Sequence, residues 1–178
     1  MERKNDVKIK IKPWENADLD LLFRLNAPEM MEHLGGSESE EQILSRHKRY
    51  LEIGSRGQMF SILQLPNLEP VGSVGYWESV WEDEQIYEIG WSVLPPFQGK
   101  GIATIAVKAA IEKACAEQKH RYIHAFPSIN NPGSNAICRK LNFRLISECD
   151  FEYPPGSIMR CNNWRLDLNE MGHGERSR

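Results

Sequence analysis

The stretch that decides the fold runs from Ile86 to Glu117 and has the sequence IYEIGWSVLPPFQGKGIATIAVKAAIEKACAE. Its first part, Ile86 to Leu94, is apolar, β-branched and aromatic, which predicts a strand covered on both faces. A Pro-Pro pair directly afterwards ends this strand, because proline cannot donate a hydrogen bond to a sheet. A Gly-rich turn from Gln98 to Ala103 then leads into a helix, which we predict to continue to about Gln118.

The turn at the start of this helix favours an anion as ligand. Gly99 and Gly101 let the backbone come close to a bound molecule. The first amides of a helix have no partner within it, and they lie at the positive end of the helix dipole. The turn therefore predicts a site for a phosphate or a pyrophosphate.

Three phosphate-binding patterns can be compared with the turn. The Walker A order is wrong, because Gly101 follows Lys100 instead of preceding it. The dinucleotide pattern needs a third Gly or Ala, and Thr104 occupies that position. The pattern Gln/Arg-x-x-Gly-x-Gly/Ala is matched by Gln98, Gly101 and Ala103. This match, between a strand and a helix, resembles the acyl-CoA loop of the GNAT superfamily of N-acetyltransferases.

Composition limits the remaining possibilities. We expect the 178 residues to form one domain, residues 1–168, followed by a polar tail, residues 169–178. The net charge of −3 argues against nucleic acid as a ligand. No apolar run approaches the ~20 residues that span a bilayer, and no signal peptide is recognisable. The four cysteines show no metal-ligand spacing, so we expect no metal, reduced thiols, a cytoplasmic location and no membrane partner.

The predicted elements alternate as one strand, two helices, three strands, a helix, a strand, a helix and two strands. This order predicts a mixed α/β domain with helices on both faces of one sheet. Within it, a capping box of Ser37 and Glu40 predicts the start of the second helix. That helix is expected to present four residues to the core: Ile43, Leu44, Tyr50 and Leu51. From Val7 to Leu168 the order matches the GNAT fold, which implies a mostly antiparallel sheet of about seven strands.

A second motif lies in the segment from Asn131 to Phe143, NPGSNAICRKLNF. It resembles the GNAT segment Asn-x-x-Ser/Ala-x-x-x-x-x-Lys-Leu-Gly-Phe. The pair Ser134-Asn135 is similar to the RimJ/RimL-type branch, which acetylates the N-termini of ribosomal proteins. Asn131 is also a predicted N-cap, with proline at the first helical position.

The resemblance implies that acetyl-CoA lies in a V opened between strands four and five. Backbone groups of Val93 and Leu94 would bond the pantetheine arm, and Asn131 and Asn135 its end. Lys100 and Arg139 are either partners of the outer phosphates or solvated surface charges. The residues assigned to the coenzyme in this way are Val93, Leu94, Gln98, Gly99, Lys100, Gly101, Ile102, Ala103, Thr104, Asn131, Asn135 and Arg139.

The transfer produces a CoA thiolate, which must be protonated. Many GNAT relatives place a tyrosine where Cys138 stands in this chain. The branch resemblance implies Ser134 as the proton donor instead. Cys138 is the second candidate, since it lies four residues later on the same helical face, but it is equally well explained as a packed thiol.

The base that accepts the proton of the amine stays open at this point. An α-amine has a pKa of ~7.7–8.0, so its deprotonation at pH 7 costs about 1 kcal/mol, against about 4–5 kcal/mol for a lysine amine. Some relatives use a glutamate on strand five, and Phe126 occupies that position here. Glu88, His124 and Glu78 are the alternatives, each of which has a purely structural explanation as well.

We expect the acceptor to contact Trp77, Glu78, Trp81 and Tyr153, because aromatic rings and carboxylates attract a cationic amine. The acceptor is a protein N-terminus by branch resemblance, or a small molecule such as a polyamine or an aminoglycoside. A CoA-binding sensor without turnover is a further alternative. The chain is expected to be a monomer or a homodimer.

Overall fold

A computed structural model of the protein describes residues 6–152 and 155–171. Seven strands form one sheet in the order β1-β2-β3-β4-β5-β7-β6. The strands are β1 (Ile9–Pro13), β2 (Gly57–Gln64), β3 (Glu69–Trp81), β4 (Glu84–Val93), β5 (Tyr122–Ala125), β6 (Arg144–Glu152) and β7 (Ile158–Asp167). Neighbouring strands are antiparallel except β4 and β5, which are parallel. The predicted fold class, a mixed and mostly antiparallel sheet, is confirmed.

Helices cover both faces of this sheet. They are α1 (Leu19–Leu25), α2 (Glu40–Leu51), α3 (Ile102–Glu117), α4 (Pro132–Lys140) and α5 (Leu168–Met171). The boundary expected after residue 168 therefore falls inside α5, and residues 172–178 lie outside the described part. Among residues 6–152 and 155–171, no helix combines the length and the apolar character that crossing a membrane requires.

Helix α3 forms the main core with the sheet. Its buried residues recur at helical spacing: Ile102, Ala106, Val107, Ala110, Ile111 and Ala114. All six residues are small or β-branched, so α3 packs close to the strands. The helix ends where predicted, because Gln118 adopts a left-handed conformation with φ of 53°.

Helices α1 and α2 cover the opposite face, and the predicted start of α2 was wrong by two residues. The capping box is made by Ser39 and Gln42, each of which bonds the backbone amide of the other. The inward residues Ile43, His47 and Tyr50 follow the spacing i, i+4, i+7, and His47 accepts a bond from the Trp14 indole. Leu44 and Leu51 lie beside this stripe and are 44% and 40% exposed, contrary to expectation.

The sheet splits between β4 and β5. The two strands pair at two positions, Tyr87 with Ile123 and Glu88 with His124. Beyond Glu88, strand β4 continues its pairing with β3 up to Val93. The chain after β5 turns instead toward β7, where the Pro127 carbonyl accepts a bond from the Asn162 amide at 2.9 Å. A V-shaped opening therefore lies beside the second half of β4.

Candidate active site

The turn before α3 is built on two glycines in left-handed conformations. Gly99 has a φ of 75° and Gly101 a φ of 82°, values that other residues adopt at a cost. No atom lies within 4 Å of a Cβ built on either residue. The glycines are thus required for the backbone conformation, and the space above them is open to a ligand.

The first turn of α3 leaves backbone donors free. The first helical bond runs from the Ile105 amide to the Gly101 carbonyl at 3.2 Å. The amides of Ile102, Ala103 and Thr104 precede it, so they have no acceptor within the helix. The Ile102 side chain is 1% exposed and anchors this turn in the core. Rigid, unpaired donors at the positive end of a 16-residue helix suit a phosphate.

Gln98 braces the turn against the strand that precedes it. Its Nε2 donates to the Val93 carbonyl at 2.8 Å, and its own amide donates to the Pro95 carbonyl at 3.2 Å. The side chain therefore fixes the angle between β4 and the turn. Lys100 is exposed, and its ammonium lies 5.8 Å from the centre of the Phe97 ring.

The end of β4 carries the predicted backbone contacts with the pantetheine arm. The Leu94 amide donates to the Val71 carbonyl at 2.8 Å, and the Leu94 carbonyl accepts from the Phe97 amide at 2.9 Å. Both backbone groups of Leu94 are thus already bonded within the protein, and its predicted contact with the pantetheine arm stays a prediction. In an antiparallel pair the backbone groups of successive residues point to alternate sides, so those of Trp91 and Val93 face the opening, where the Val93 carbonyl already accepts the bond from Gln98.

At the vertex of the opening lies the half-buried carboxylate of Glu88. The Trp77 indole donates to Glu88 Oε2 at 3.1 Å, and the Ser79 hydroxyl donates to Oε1 at 3.3 Å. Burial raises the pKa of Glu88, and the bonds from Ser79 and Trp77 partly offset this effect. Trp77 lies across Gly90, where an added Cβ would come within 3.0 Å of the ring. A glycine is therefore needed at position 90 to seat the indole beside Glu88.

Three aromatic rings extend this side of the sheet. The ring centres of Trp81 and Phe126 are 4.7 Å apart, and those of Phe126 and Phe151 are 4.8 Å apart. We call Trp81, Phe126 and Phe151 the aromatic surface. All three are half-buried, so each ring offers part of its face to a ligand.

Comparison with known proteins identifies the family. The profile of the family described as Acetyltransferase (GNAT) domain matches residues 8–144, which is well over half of the chain. The chain belongs to the GNAT acetyltransferase family. No curated protein sequence is similar enough to this chain to count as a match.

Solved structures of GNAT acetyltransferases share this fold. A GNAT-family acetyltransferase from Bacillus anthracis is 20% identical, with a TM-score of 0.73 over 91% of this chain and 96% of its own. The Salmonella typhimurium acetyltransferase that modifies the N-terminal serine of ribosomal protein L7/L12 is 17% identical, with a TM-score of 0.75 over 93% and 97%. Spermidine N-acetyltransferase from Vibrio cholerae, solved with CoA and spermine, is 15% identical, with a TM-score of 0.74 over 90% and 96%.

Acetyl-CoA is the acetyl donor of this family, and the turn before α3 fits its pyrophosphate. The fit rests on the free amides of Ile102, Ala103 and Thr104, and on the open space over Gly99 and Gly101. The remaining residues assigned from the sequence divide into those that reach this region and those that the fold uses elsewhere.

The fold uses both asparagines of the second motif, and for Asn135 this leaves no room for the predicted contact with the coenzyme. Asn131 Oδ1 accepts from the Ser134 amide at 3.1 Å, so this side chain caps α4 as predicted. Asn135 is 5% exposed and donates to the carbonyls of Ser128 and Asn131. Its Oδ1 accepts from Asn162 Nδ2 at 2.9 Å and from Trp164 Nε1 at 2.8 Å. All four bonding positions of Asn135 are therefore filled, and it has none left for pantetheine.

The two candidate proton donors have opposite environments. Ser134 is half-buried, and its hydroxyl bonds no other residue in the described part of the chain. Cys138 is 0% exposed within the main core, and burial raises its pKa to about 12. The structure therefore places Cys138 among the packed core residues. Arg139 is exposed and lies over the Trp164 ring at 5.6 Å.

Glu78 does not lie with the other acceptor-site candidates. Successive residues of a strand face opposite sides, so Glu78 points away from the face that carries Trp77. It bonds Lys119 at 2.7 Å and His120 at 3.1 Å, and these bonds lower its pKa. Its predicted role as base or acceptor contact was wrong. Tyr153, another predicted acceptor contact, lies outside the described residues.

Sequence reasoning missed Phe151 and Asn163. Both depend on the register of β6 and β7, in which Phe151 pairs with Met159. Asn163 bonds His124 across the sheet, at a sequence separation of 39 residues. No short motif marks either residue, and the alternation of β6 gives no signal because most of that strand is exposed.

Proposed function

We propose that the protein is an N-acetyltransferase that acetylates the α-amine of a protein N-terminus, by direct attack in a ternary complex. When bound, acetyl-CoA supplies a thioester whose carbonyl carbon is the electrophile. The free amides at the start of α3 hold its pyrophosphate, and the Trp91 and Val93 edge of β4 bonds its arm. No covalent enzyme intermediate is proposed, because neither a cysteine nor a serine in the described part of the chain bonds a histidine.

One observation carries the proposal: the carboxylate of Glu88 lies at the vertex of the opening, beside an aromatic surface. Glu88 is held by Trp77 and Ser79, so its negative charge is fixed where the amine must arrive. A charge held in a partly buried site attracts a cation more strongly than an exposed one does. The aromatic surface then supports the remainder of the acceptor.

The charge of the site favours an α-amine over a polyamine. On β6, Asp150 and Glu148 pair with Arg160 at 3.1 and 3.5 Å, and Glu152 accepts a bond from the Gly156 amide at 2.9 Å. In this proposal the carboxylate of Glu88 receives the single positive charge of the α-amine at the vertex. An α-amine also loses its proton at a cost of about 1 kcal/mol at pH 7, which a weak base can meet.

We propose Ser134 as the proton donor to the departing sulfur. It lies at the third position of α4, and among residues 6–152 and 155–171 no group bonds its hydroxyl. A small amine is the second candidate acceptor. The exposed acidic turn from Glu82 to Glu84, between β3 and β4, favours a polycation such as spermidine.

The experiment is an acetyl-CoA turnover assay with the full chain. The panel contains peptides with a free α-amine and no lysine, the same peptides with a blocked N-terminus and one lysine, spermidine, and an aminoglycoside. We expect CoA release with the free α-amines, and acetylation at the first residue by mass spectrometry. Preference for spermidine would move the proposal to the second acceptor. Tight CoA binding without turnover on any amine would contradict an enzyme and favour a sensor.

A further inference from the structure

His124 occupies the last paired row before the sheet opens. It lies beside Glu88 in the parallel register of β4 and β5, and the next residue of β5 has no partner on β4. Side chains in one row of a sheet lie on the same face, so the imidazole points to the side that carries Glu88 and Trp77. It is 3% exposed.

The two ring nitrogens of His124 have different partners. Nδ1 lies 2.7 Å from Asn163 Oδ1, and an amide oxygen is an acceptor. Nδ1 therefore carries the hydrogen, which leaves a lone pair on Nε2. Nε2 is buried and has no hydrogen-bond partner among the described residues. A buried polar atom without a partner is uncommon and needs an explanation, such as a proton-transfer role.

The surroundings keep the imidazole rigid and neutral. The ring stacks on Phe126, with centres 5.7 Å apart and planes inclined by 16°. Burial lowers the pKa of His124, the bond to Asn163 partly opposes this, and Arg165 on β7 lowers it further. Glu84 on β4 and Glu82 in the preceding turn act in the opposite direction. The other titratable groups beside it in the described part of the chain are Glu88, its neighbour on β4, and Tyr122 on β5, whose ring centre lies 6.5 Å from that of His124.

We propose that His124 is the catalytic base, whose Nε2 accepts the proton that the acceptor nitrogen loses, and that Asn163 is its positioning residue. This inference rests on the proposed function. Asn163 is itself 3% exposed, so its bond to Nδ1–H fixes the orientation of the imidazole and leaves the Nε2 lone pair to take the proton. Glu88 then holds the charge of the incoming amine instead of taking its proton.

The step balances as follows. The lone pair of the nitrogen forms the bond to the acetyl carbon, and the bond from that carbon to sulfur breaks with its electron pair on sulfur. The cationic amine first gives one proton to Nε2, directly or through one water molecule, which frees this lone pair, and after the attack the nitrogen loses its second proton to solvent. The sulfur gains one proton from Ser134 or water. Solvent then takes the proton from His124 and restores the one on Ser134.

The test compares the pH dependence of kcat/KM for the acceptor in four full-length proteins: wild type, H124Q, E88Q and H120Q. We expect H124Q to lower kcat about 100-fold or more and to leave the KM for acetyl-CoA unchanged. It should also remove the acidic limb of the pH profile, which is the decrease of kcat/KM at low pH. E88Q should raise the KM for the acceptor and keep that limb. H120Q, which changes a histidine on the other face, should behave as wild type. A limb that disappears in E88Q and persists in H124Q would overturn the proposal.

The role of Asn163 is tested by the position of the acidic limb, which a purely structural role would leave unchanged. N163A removes a bond that raises the pKa of His124, so the acidic limb should shift to lower pH. An unshifted limb would contradict the positioning role. Nitrogen-15 NMR of the wild-type histidines tests the base without any variant, even if H124Q does not fold. At pH 7.5 we expect hydrogen on Nδ1 and none on Nε2, and the reverse tautomer would overturn the proposal.

The outcomes also separate this inference from the proposed function. If the wild type acetylates α-amines and H124Q is fully active, only the assignment of His124 as the base is refuted. A wild type that binds acetyl-CoA and acetylates no amine refutes the proposed function, and the base role falls with it.

Discussion

The turn before α3 and the start of α4 carry the two family motifs, yet they use their polar groups in opposite ways. The turn leaves the amides of Ile102, Ala103 and Thr104 without an acceptor in the helix. At the start of α4 the fold uses the polar side chains: Asn131 Oδ1 caps the helix, and Asn135 bonds Ser128, Asn131, Asn162 and Trp164. Both motifs match the family pattern, but the polar groups of the first are available to a ligand, whereas those of the second stabilise the fold.

The difference follows from where each motif lies. The turn follows a strand whose edge is open, and no residue in the described part of the chain bonds the three amides at the start of α3. Helix α4 packs against β7, which brings the side-chain amide of Asn162 and the indole of Trp164 to Asn135. A buried side-chain amide needs hydrogen-bond partners within the protein, whereas the exposed amides at a helix start can bond water until a ligand binds.

The largest expected effect is the loss of acetyl-CoA binding in Gly101→Asp. The new carboxylate places a negative charge at the phosphate site, and the residue must adopt a φ of 82°. Losing the bonds from amides to an anion, at about 1.5–3 kcal/mol each, corresponds to a Kd at least ~100-fold weaker. Isothermal titration calorimetry with acetyl-CoA measures it.

The matched control is Gly54→Asp, which introduces the same residue at another left-handed glycine, with a φ of 59° and no atom near its Cβ. This variant should lose a similar amount of stability and keep its acetyl-CoA affinity. Equal affinity in the two variants would show that the turn does not hold the coenzyme.

The second effect is on folding and not on binding. Asn135→Leu removes the bonding partner of three groups: the Ser128 carbonyl, the side-chain amide of Asn162 and the Trp164 indole. We expect the free energy of unfolding in urea to fall by about 2–4 kcal/mol, because buried groups lose their bonds. Acetyl-CoA affinity should stay within about twofold of wild type where the variant is folded.

Asn130→Leu is the control for this change, since Asn130 is exposed in the same loop and should cost at most ~0.5 kcal/mol. A stable Asn135→Leu protein with weakened coenzyme binding would reverse our assignment of Asn135 and restore the role that the motif implies.

Sequence predicted the turn well because its requirements are local. Two glycines at fixed spacing, a strand before them and a helix after them determine where the amides point. The Asn131 cap was predictable for the same reason. The partners of Asn135 lie 27 and 29 residues further along the chain, and the partner of His124 lies 39 residues away. Such contacts depend on strand order and register, which no short motif encodes.

The third effect separates Ser134 from its neighbours on α4. Its hydroxyl is not bonded in the described part of the chain, so Ser134→Ala should leave stability nearly unchanged. We expect kcat to fall about tenfold, since a thiolate with a pKa near ~8.5 needs only modest help to leave, and KM to change less. Steady-state kinetics against Ser147→Ala, an exposed serine on β6, measures the difference. Equal changes in kcat and KM would contradict an acid role.

The smallest effect tests the brace that connects the turn to β4. Gln98→Ala removes the bond to the Val93 carbonyl, a neutral bond between partly exposed groups. Such a bond contributes about 0.5–1.5 kcal/mol, so the Kd for acetyl-CoA should rise about 2- to 10-fold with kcat unchanged. Gln85→Ala, at an exposed position of the same strand, should have no effect. If the Gln98 variant instead lost binding as completely as Gly101→Asp, its side chain would itself contact the coenzyme, and the turn would bind through more than its backbone.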